Sequence, residues 1–336
     1  MERILVINVN WLGDVLFSTP AIKALRKSNP NAYIACLVVK RCAEILENNP
    51  NIDELIIYDE YNKHKLIWQK FKFIKLLKHK KFTRVYILHQ SFKRALIGYL
   101  SAIPERIGYN TKRRGCILTQ AIDLPEKPVH KIDYFLYLLQ KCGIQTQDRN
   151  CEFFIDVNNR KIAKKILQLN KVEKNDKFIV INPGGNWQLK RWPVENFALL
   201  ADLLITRCEV KIIISGAKKD KELAEQIISK MTHKPLNLCG LTNLTQIAAI
   251  MQDSFCVVSA DSGPMHISRA VGANTVCIFG PTSIELTGPV GKGKGVLLQK
   301  NIGCKIPCYQ LDCPNNLCMK AVSVEDVFNA VCKFIN

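Results

Sequence analysis

Two α/β domains, each a doubly wound parallel sheet, are predicted for this chain of 336 residues. Three observations predict them. Short apolar runs rich in β-branched residues alternate with longer amphipathic stretches along most of the sequence, which is the pattern of βαβ units. That pattern starts twice, with a strand ending in a glycine-containing polar loop at residues 3–14 and again at 178–190. The length, finally, is enough for two domains with a core each.

The first element is the apolar run RILVINV (residues 3–9), which breaks at Asn10-Trp11-Leu12-Gly13-Asp14 before a helix over 19–28. Strand, glycine loop and helix open a Rossmann-like domain, yet no G-x-G-x-x-G occurs anywhere, so the dinucleotide fingerprint is missing. Asp14 falls at the carboxyl end of the first strand, where open α/β sheets place their ligands. Capping the next helix is its plainer role. Strands are expected near 33–39 and 54–58, a helix near 65–79, a strand at 84–89 and a helix from about 92. Residues 62–84 carry nine Lys or Arg and no acid. Ile67, Phe71, Ile74 and Leu77 form a near-helical stripe expected to face the core, with Lys70, Lys72, Lys75 and Lys78 largely off it. A helix of this kind suits an anionic membrane surface. A short strand at 106–109 leads to the basic loop 111–114, and residues 130–142 form a helix. Composition then turns polar at 145–150 and 156–160, which sets the domains at 1–157 and 158–336.

The second half opens on FIVINPGG (178–185), a strand ending in Gly184-Gly185, followed by Asn186, Lys190, Arg191-Trp192-Pro193 and a helix over 194–206. A strand at 210–215 and helices at 219–231 and 243–251 lead to SFCVVSA, which has the length and composition of a buried strand. Asp261-Ser262-Gly263-Pro264 comes next, then a helix to about 272 and a strand at 275–279. Ser262 or Gly263 suits an N-cap and Pro264 the first helical position. A helix starting at the carboxyl end of a buried strand aims backbone N–H groups and partial positive charge at its mouth, which makes an anion site. His266 can reach that mouth; a capped helix with a satisfied histidine is the plainer alternative. A final helix at 323–336 opens on cap-like residues and either joins the second domain or packs back on the first.

Bulk composition narrows the function classes. At 48% hydrophobic and 23% charged residues the chain is an ordinary globular one, and its net charge of +19 argues for an acidic partner. Nucleic acid would explain the charge but none of the loops, and the sequence lacks aromatic platforms and zinc-finger or homeodomain patterns. No stretch approaches the roughly 18–20 uncharged apolar residues of a membrane span, and the N-terminus has no secretory pattern. Most of the fourteen cysteines sit singly in apolar runs, as Cys36, Cys208, Cys256 and Cys277 do, which is the usage of a reduced, cytosolic protein. Cys304, Cys308, Cys313 and Cys318 are denser, but spacings of x3, x4 and x4 fit neither a zinc pair nor a common iron–sulfur run. Packed or oxidised thiols are expected there rather than a metal.

Set at one cleft, the loops make a chemical proposal. Gly184, Gly185 and Asn186 present backbone N–H groups, Lys190 supplies a mobile cation, and the 261–264 loop supplies a helix terminus. Together they form a pocket for a diphosphate with no metal required, and no D-x-D pair stands at a strand end to hold one. Across the cleft, Asp14 is a carboxylate suited to take a proton. A base opposite a leaving diphosphate describes group transfer from a nucleotide-activated donor to a hydroxyl.

Three stretches in order, NWLGDVLFSTPAIKALRK, INPGG…LKRWPVENFALLADLL and DSGPMHISRAVGANTVCIFGPT, resemble glycosyltransferase family 9, the ADP-heptose:lipopolysaccharide heptosyltransferases. The resemblance covers nearly the whole chain. It implies a GT-B fold, two Rossmann-like domains facing a cleft, and an inverting reaction with no cofactor. It implies ADP-heptose as donor, held mainly by the C-terminal domain, and an anionic lipid-linked oligosaccharide, the lipid A–core, as acceptor on the N-terminal one. It implies Asp14, after Gly13, as general base, Lys190 at the donor phosphates, and Asp261, Ser262, Gly263 and His266 as donor-binding residues. Where relatives have hydroxyl side chains in the turn, this chain has Gly185 and Asn186, so backbone contacts are expected. Gly13 and the cations Arg106, Lys112, Arg113 and Arg114 are expected on the acceptor side, and the enzyme is expected in the cytoplasm, peripheral on the inner face of the cytoplasmic membrane. The cysteine-rich stretch tilts the subtype towards heptosyltransferase II. A different nucleotide sugar or acceptor on the same scaffold, or a silent polyanion binder, stays open.

Overall fold

The apolar runs of the sequence become two six-stranded sheets, parallel throughout, in a computed structural model that describes residues 1–310 and 312–335. Leu311, inside the cysteine-rich stretch, and Asn336, expected to end the last helix, lie outside the described residues. The chain divides into units of residues 1–154 and 155–336.

The first unit runs β1 (Arg3–Ile7), α1 (Leu12–Phe17), α2 (Thr19–Ser28), β2 (Tyr33–Val38), β3 (Glu54–Ile57), α3 (Ile67–His79), β4 (Arg84–Ile87), α4 (Phe92–Leu100), β5 (Glu105–Tyr109), β6 (Gln120–Ile122) and α5 (Lys131–Gln140). Its strand order is β3-β2-β1-β4-β5-β6. β1 lies at the centre, with Leu5 paired to Ala35 of β2 and to Val85 of β4. Helices cover both faces of such a sheet, so central strands are apolar without alternation; Ile4, Leu5, Val6 and Ile7 are all fully buried. The expected loop before residue 19 is partly helical, because α1 starts at Leu12 and takes Asp14 into its first turn.

Helix α3 departs most from expectation. Phe73 and Leu77 are its buried residues, whereas Phe71 and Ile67 of the expected core stripe are 61% and 66% exposed. An aromatic cluster sets this phase. The His64 ring stacks on Tyr58 at 5.2 Å and meets Phe73 at 4.6 Å, and His64 Nδ1 accepts the Asp59 N–H at 3.0 Å. The segment is thereby pinned before the helix begins, and Phe73 rather than Phe71 turns inward.

The second unit runs α6 (Val157–Leu169), β7 (Phe178–Asn182), α7 (Val194–Cys208), β8 (Lys211–Ile214), α8 (Lys221–Ile228), β9 (Leu236–Asn237), α9 (Leu244–Asp253), β10 (Cys256–Ala260), α10 (Gly263–Ala270), β11 (Thr275–Ile278), α11 (Ile284–Thr287), β12 (Gly295–Leu298), α12 (Leu317–Lys320) and α13 (Val324–Ile335). Asp156 caps α6 by accepting the Asn159 N–H at 2.9 Å, which starts the helix at Val157. The unit begins with it at Ile155 instead of 158. The last helix joins this unit's core, against α7, β10, β11 and β12, and buries Val327, Ala330 and Val331 there. Trp192 anchors the same core, edge-on to Phe197 at 5.0 Å with its indole N–H donating to Val322 O at 2.8 Å.

The second sheet has the order β12-β11-β10-β7-β8-β9. Read from β9 and counted within its own unit, this is 3-2-1-4-5-6, the order of the first sheet as well. In such sheets the connections leave in opposite directions from the two central strands, and the crevice between their carboxyl ends is the ligand position. Those strands are β1 and β4 in the first unit and β7 and β10 in the second.

Candidate active site

In the second unit the two central strands end in the two loops that the sequence marks. Asn182, the last residue of β7, is 2% exposed and bridges to the next strand, its Nδ2 donating to Ser259 Oγ at 3.3 Å and to Ser262 Oγ at 3.1 Å. Ser262 is the N-cap residue of α10, yet its hydroxyl is turned to Asn182 and Ser259, and no side chain caps the helix. With Pro264 in the first turn, α10 therefore offers its amino-terminal partial charge to a ligand instead of spending it on a cap.

Lys190 is held at this terminus. Its Nζ stands 2.7 Å from Asp261 Oδ2, and Asp261 is only 5% exposed. Thr282 Oγ1 donates to the same carboxylate oxygen at 2.6 Å, and His266 Nε2 lies 4.0 Å from the other. The sequence made Lys190 a mobile cation; here it is tethered by a buried carboxylate. Charge-assisted contacts of this kind fix the ammonium's position as well as its energy. Asp261, Ser262, Gly263, His266 and Lys190 thus come together.

The turn after β7 is built differently from expectation. A Cβ on Gly184 would lie 2.8 Å from the carboxyl carbon of Asp220, so only glycine fits against that acid. Asp220 is buried and accepts the Ala217 N–H at 2.9 Å, which shapes the start of α8. The Gly185 carbonyl accepts from Arg191 at 3.1 Å, and the Asn186 side-chain oxygen accepts from Lys219. Asp220 escaped notice in the sequence; its signal was its place after Gly216, at the carboxyl end of β8.

In the first unit the mouth of β1 carries Asn8, which is 1% exposed, accepts the Val9 N–H at 2.8 Å and donates to Ser18 Oγ at 2.8 Å. This turns the chain out of the strand and into α1. Trp11 is the N-cap of α1 without a side-chain cap bond, and half-buried Asp14 lies in the first turn with Gly13 beside it. A carboxylate there is favoured by the helix dipole. Arg41 holds the loop, its guanidinium 4.4 Å from the Trp11 ring centre and donating to Asn10 O at 2.8 Å.

The basic residues of this unit have unequal freedom. Arg106 donates to the carbonyls of Ile103, Pro104 and Ile117 at 2.7, 3.1 and 2.8 Å, so its guanidinium staples β5 to the following turn. Arg114 is fully buried, donates to Tyr109 O at 2.6 Å and to His89 O, and burial pushes it down to about 10. Lys112 and Arg113 are exposed, in a tight turn with φ of 50° and 59°.

His89, just beyond β4, completes this mouth and was not singled out in the sequence. Its Nδ1 accepts the Ser91 N–H at 3.0 Å and its Nε2 is 3.1 Å from Asn10 Nδ2. Burial first, and then the charges of Arg94, Arg114, Lys112 and Lys131, push His89 down to about 4. The unfolded chain takes up this proton below about pH 6.5, while the folded one refuses it until about 4. Stability therefore falls as pH drops through that window. Urea unfolding at pH 7 and pH 5 should show this acid loss, and His89→Gln should lose less between the two pH values than the native protein. Equal losses would show that other groups govern it.

Among the described residues, no group of three or more His, Cys, Asp or Glu is placed to hold a metal ion. Cys304 is exposed and Cys308, Cys313 and Cys318 are half-buried. Among the described residues no helix is long and apolar enough to cross a membrane.

Known proteins match both sequence and fold. Lipopolysaccharide heptosyltransferase 2 of Escherichia coli K12 is 27% identical over 299 residues, covering 86% of this chain and 85% of that protein. Lipooligosaccharide heptosyltransferase 2 of Campylobacter jejuni serotype O:6 is 25% identical, covering 96% of each. A glycosyl transferase family 9 structure from Veillonella parvula DSM 2008 superposes with a TM-score of 0.91 at 26% identity, over 99% of this chain and 97% of that one. The E. coli ADP-heptose LPS heptosyltransferase II structure does so with a TM-score of 0.83 at 23% identity, over 100% and 98%. The architecture is therefore GT-B. The family model "Glycosyltransferase family 9 (heptosyltransferase)" matches residues 70–318, and to that family the chain belongs.

Proposed function

We propose that this enzyme transfers heptose from ADP-heptose to the inner core of lipopolysaccharide, a reading supported by relatives named as lipopolysaccharide heptosyltransferases, and that its acceptor is an anionic lipid-linked oligosaccharide. One observation carries the assignment of the donor end: a lysine tethered by a buried acid, Lys190 on Asp261, at the uncapped amino terminus of α10. Two positive features from different strands at a sheet's carboxyl edge suit a pyrophosphate. Asp261, Ser262, Gly263 and His266 line the donor with Lys190, and the backbone of Gly184, Gly185 and Asn186 completes the turn beside it. Asp14 is the base.

In the reaction the acceptor hydroxyl oxygen attacks the anomeric carbon, and that carbon's bond to the phosphate oxygen breaks. ADP leaves with the electron pair, and the hydroxyl proton passes to the Asp14 carboxylate. Attack opposite to the leaving group inverts the anomeric centre. Lys190 and α10 stabilise charge that grows on the departing diphosphate, so they act more strongly in the transition state than on the intact donor. Lys112 and Arg113, exposed in their turn, meet the acceptor's phosphates and acidic sugars; the enclosed guanidinium groups of Arg106 and Arg114 shape that surface. The enzyme works at the inner face of the cytoplasmic membrane, where a lipid-linked acceptor is found.

The test is ADP release from ADP-heptose with and without a Kdo-lipid A acceptor, or the same acceptor bearing one heptose. Release that needs both substrates, with heptose found on the acceptor by mass spectrometry, is the expected result. Release that needs no acceptor, or a preference for another nucleotide sugar, overturns the assignment.

A further inference from the structure

The outward face of α3 has no role in the chemistry above and carries several large exposed apolar side chains. At about 100° per residue, Trp68, Phe71, Lys72 and Lys75 fall on the side opposite the buried Phe73 and Leu77. Trp68 is 59% exposed and Phe71 61%, and Ile67, Leu66 and Tyr61 beside them are 66%, 50% and 79% exposed. Contiguous exposed apolar side chains of this size mark an interaction site on a soluble surface.

Charge identifies the occupant. Residues 62–84 hold nine Lys or Arg and no acid. Lys72, Lys75 and Lys78 are exposed, and among the described residues none of them, nor Lys70, has an acidic partner. The two acids that precede the segment are engaged, Glu60 with Arg94 at 2.8 Å and Asp59 with the Asn62 side chain at 3.2 Å. A second copy of this face would set lysine against lysine, so self-association through it is opposed. An indole and a phenyl ring flanked by unpaired ammonium groups match the headgroup level of an anionic bilayer, where aromatic rings enter the interface and lysines reach the phosphates.

We propose that α3 is a membrane-docking element, with Trp68 and Phe71 inserted at the headgroup level and Lys72, Lys75 and Lys78 held by anionic phospholipid. This rests on the reading of the acceptor as lipid-linked, and it names the surface that brings the first unit to that lipid. Each lysine near an anionic surface contributes about a factor of five to partitioning, and buried aromatic area adds to it.

The experiment uses the full chain and vesicles without donor or acceptor, so it reads docking independently of heptose transfer. Co-sedimentation with phosphatidylethanolamine–phosphatidylglycerol vesicles is compared with all-phosphatidylcholine vesicles. Binding to the first only is expected. Lys72→Gln with Lys75→Gln should lower it about thirtyfold, and Trp68→Ser with Phe71→Ser at least about tenfold. Brominated lipid should quench the native protein's fluorescence, and Trp68→Phe should remove most of that quenching while binding persists. Vesicle binding unchanged in the two double variants, quenching unchanged in Trp68→Phe, binding absent from anionic vesicles, or a dimer that the aromatic substitutions dissolve would overturn the proposal. Docking that persists without heptose transfer in the ADP-release assay would instead remove the acceptor reading and leave the surface in place.

Discussion

Asp14→Asn should lower kcat for heptose transfer by about 10²–10⁴-fold, the usual worth of a positioned general base. The amide keeps the size of the carboxylate but cannot take the acceptor's proton. The loss should fall on turnover and leave the KM for ADP-heptose nearly unchanged, since the donor is assigned to the second unit. Folding should suffer little. Asp14 is half-buried in the first turn of α1, where the dipole contributes about 1 kcal/mol or less. Steady-state kinetics with a Kdo-lipid acceptor, alongside thermal unfolding, would separate the two effects. A variant that turned over at the native rate would remove Asp14 as the base.

Lys190→Ala should cost about 10²–10³ in kcat, by removing a preorganised cation from the leaving group. It should also destabilise the second unit, because Asp261 is 5% exposed and would lose the ammonium 2.7 Å from its carboxylate. Stranding a buried charge in this way costs about 2–3 kcal/mol here, with Thr282 still donating to the same oxygen. The two losses have different remedies. Adding Asp261→Asn to Lys190→Ala should restore much of the stability, measured by urea unfolding, and none of the rate. If the double variant recovered turnover as well, Lys190 would be a structural counter-ion and not a partner of the diphosphate.

Much of this arrangement was legible in the sequence, and the gaps have physical causes. Strand–loop–helix alternation and the paired openings at 3–14 and 178–190 are local patterns, so the two doubly wound units followed from them. The short strands β6, β9 and β12 were missed, because two to four partly exposed residues at a sheet's edge make at most a very short apolar run. Lys190 and Asp261 could be named separately, but their ion pair could not. It depends on β7 lying beside β10, a register fixed by the whole sheet. The phase of α3 was misjudged for a similar reason. Its lysines and aromatics fit two helical stripes equally well, and the choice was made by Tyr58 and His64, which lie outside the helix. Arg106 and Arg114 looked like surface cations until their carbonyl partners were visible.

The repeated strand order has a consequence for durability. β7 and β10, which carry the loops assigned to the donor, are the innermost and wholly buried members of their sheet, while β9 and β12 at its margins are short and partly wet. Backbone amides of inner strands open only when a whole unit opens, whereas margins fray on their own. Heat or sequence drift can therefore loosen the rims long before it disturbs the loops assigned to the donor. The same burial means that these loops cannot assemble piecemeal during synthesis, since they meet only once the sheet has closed.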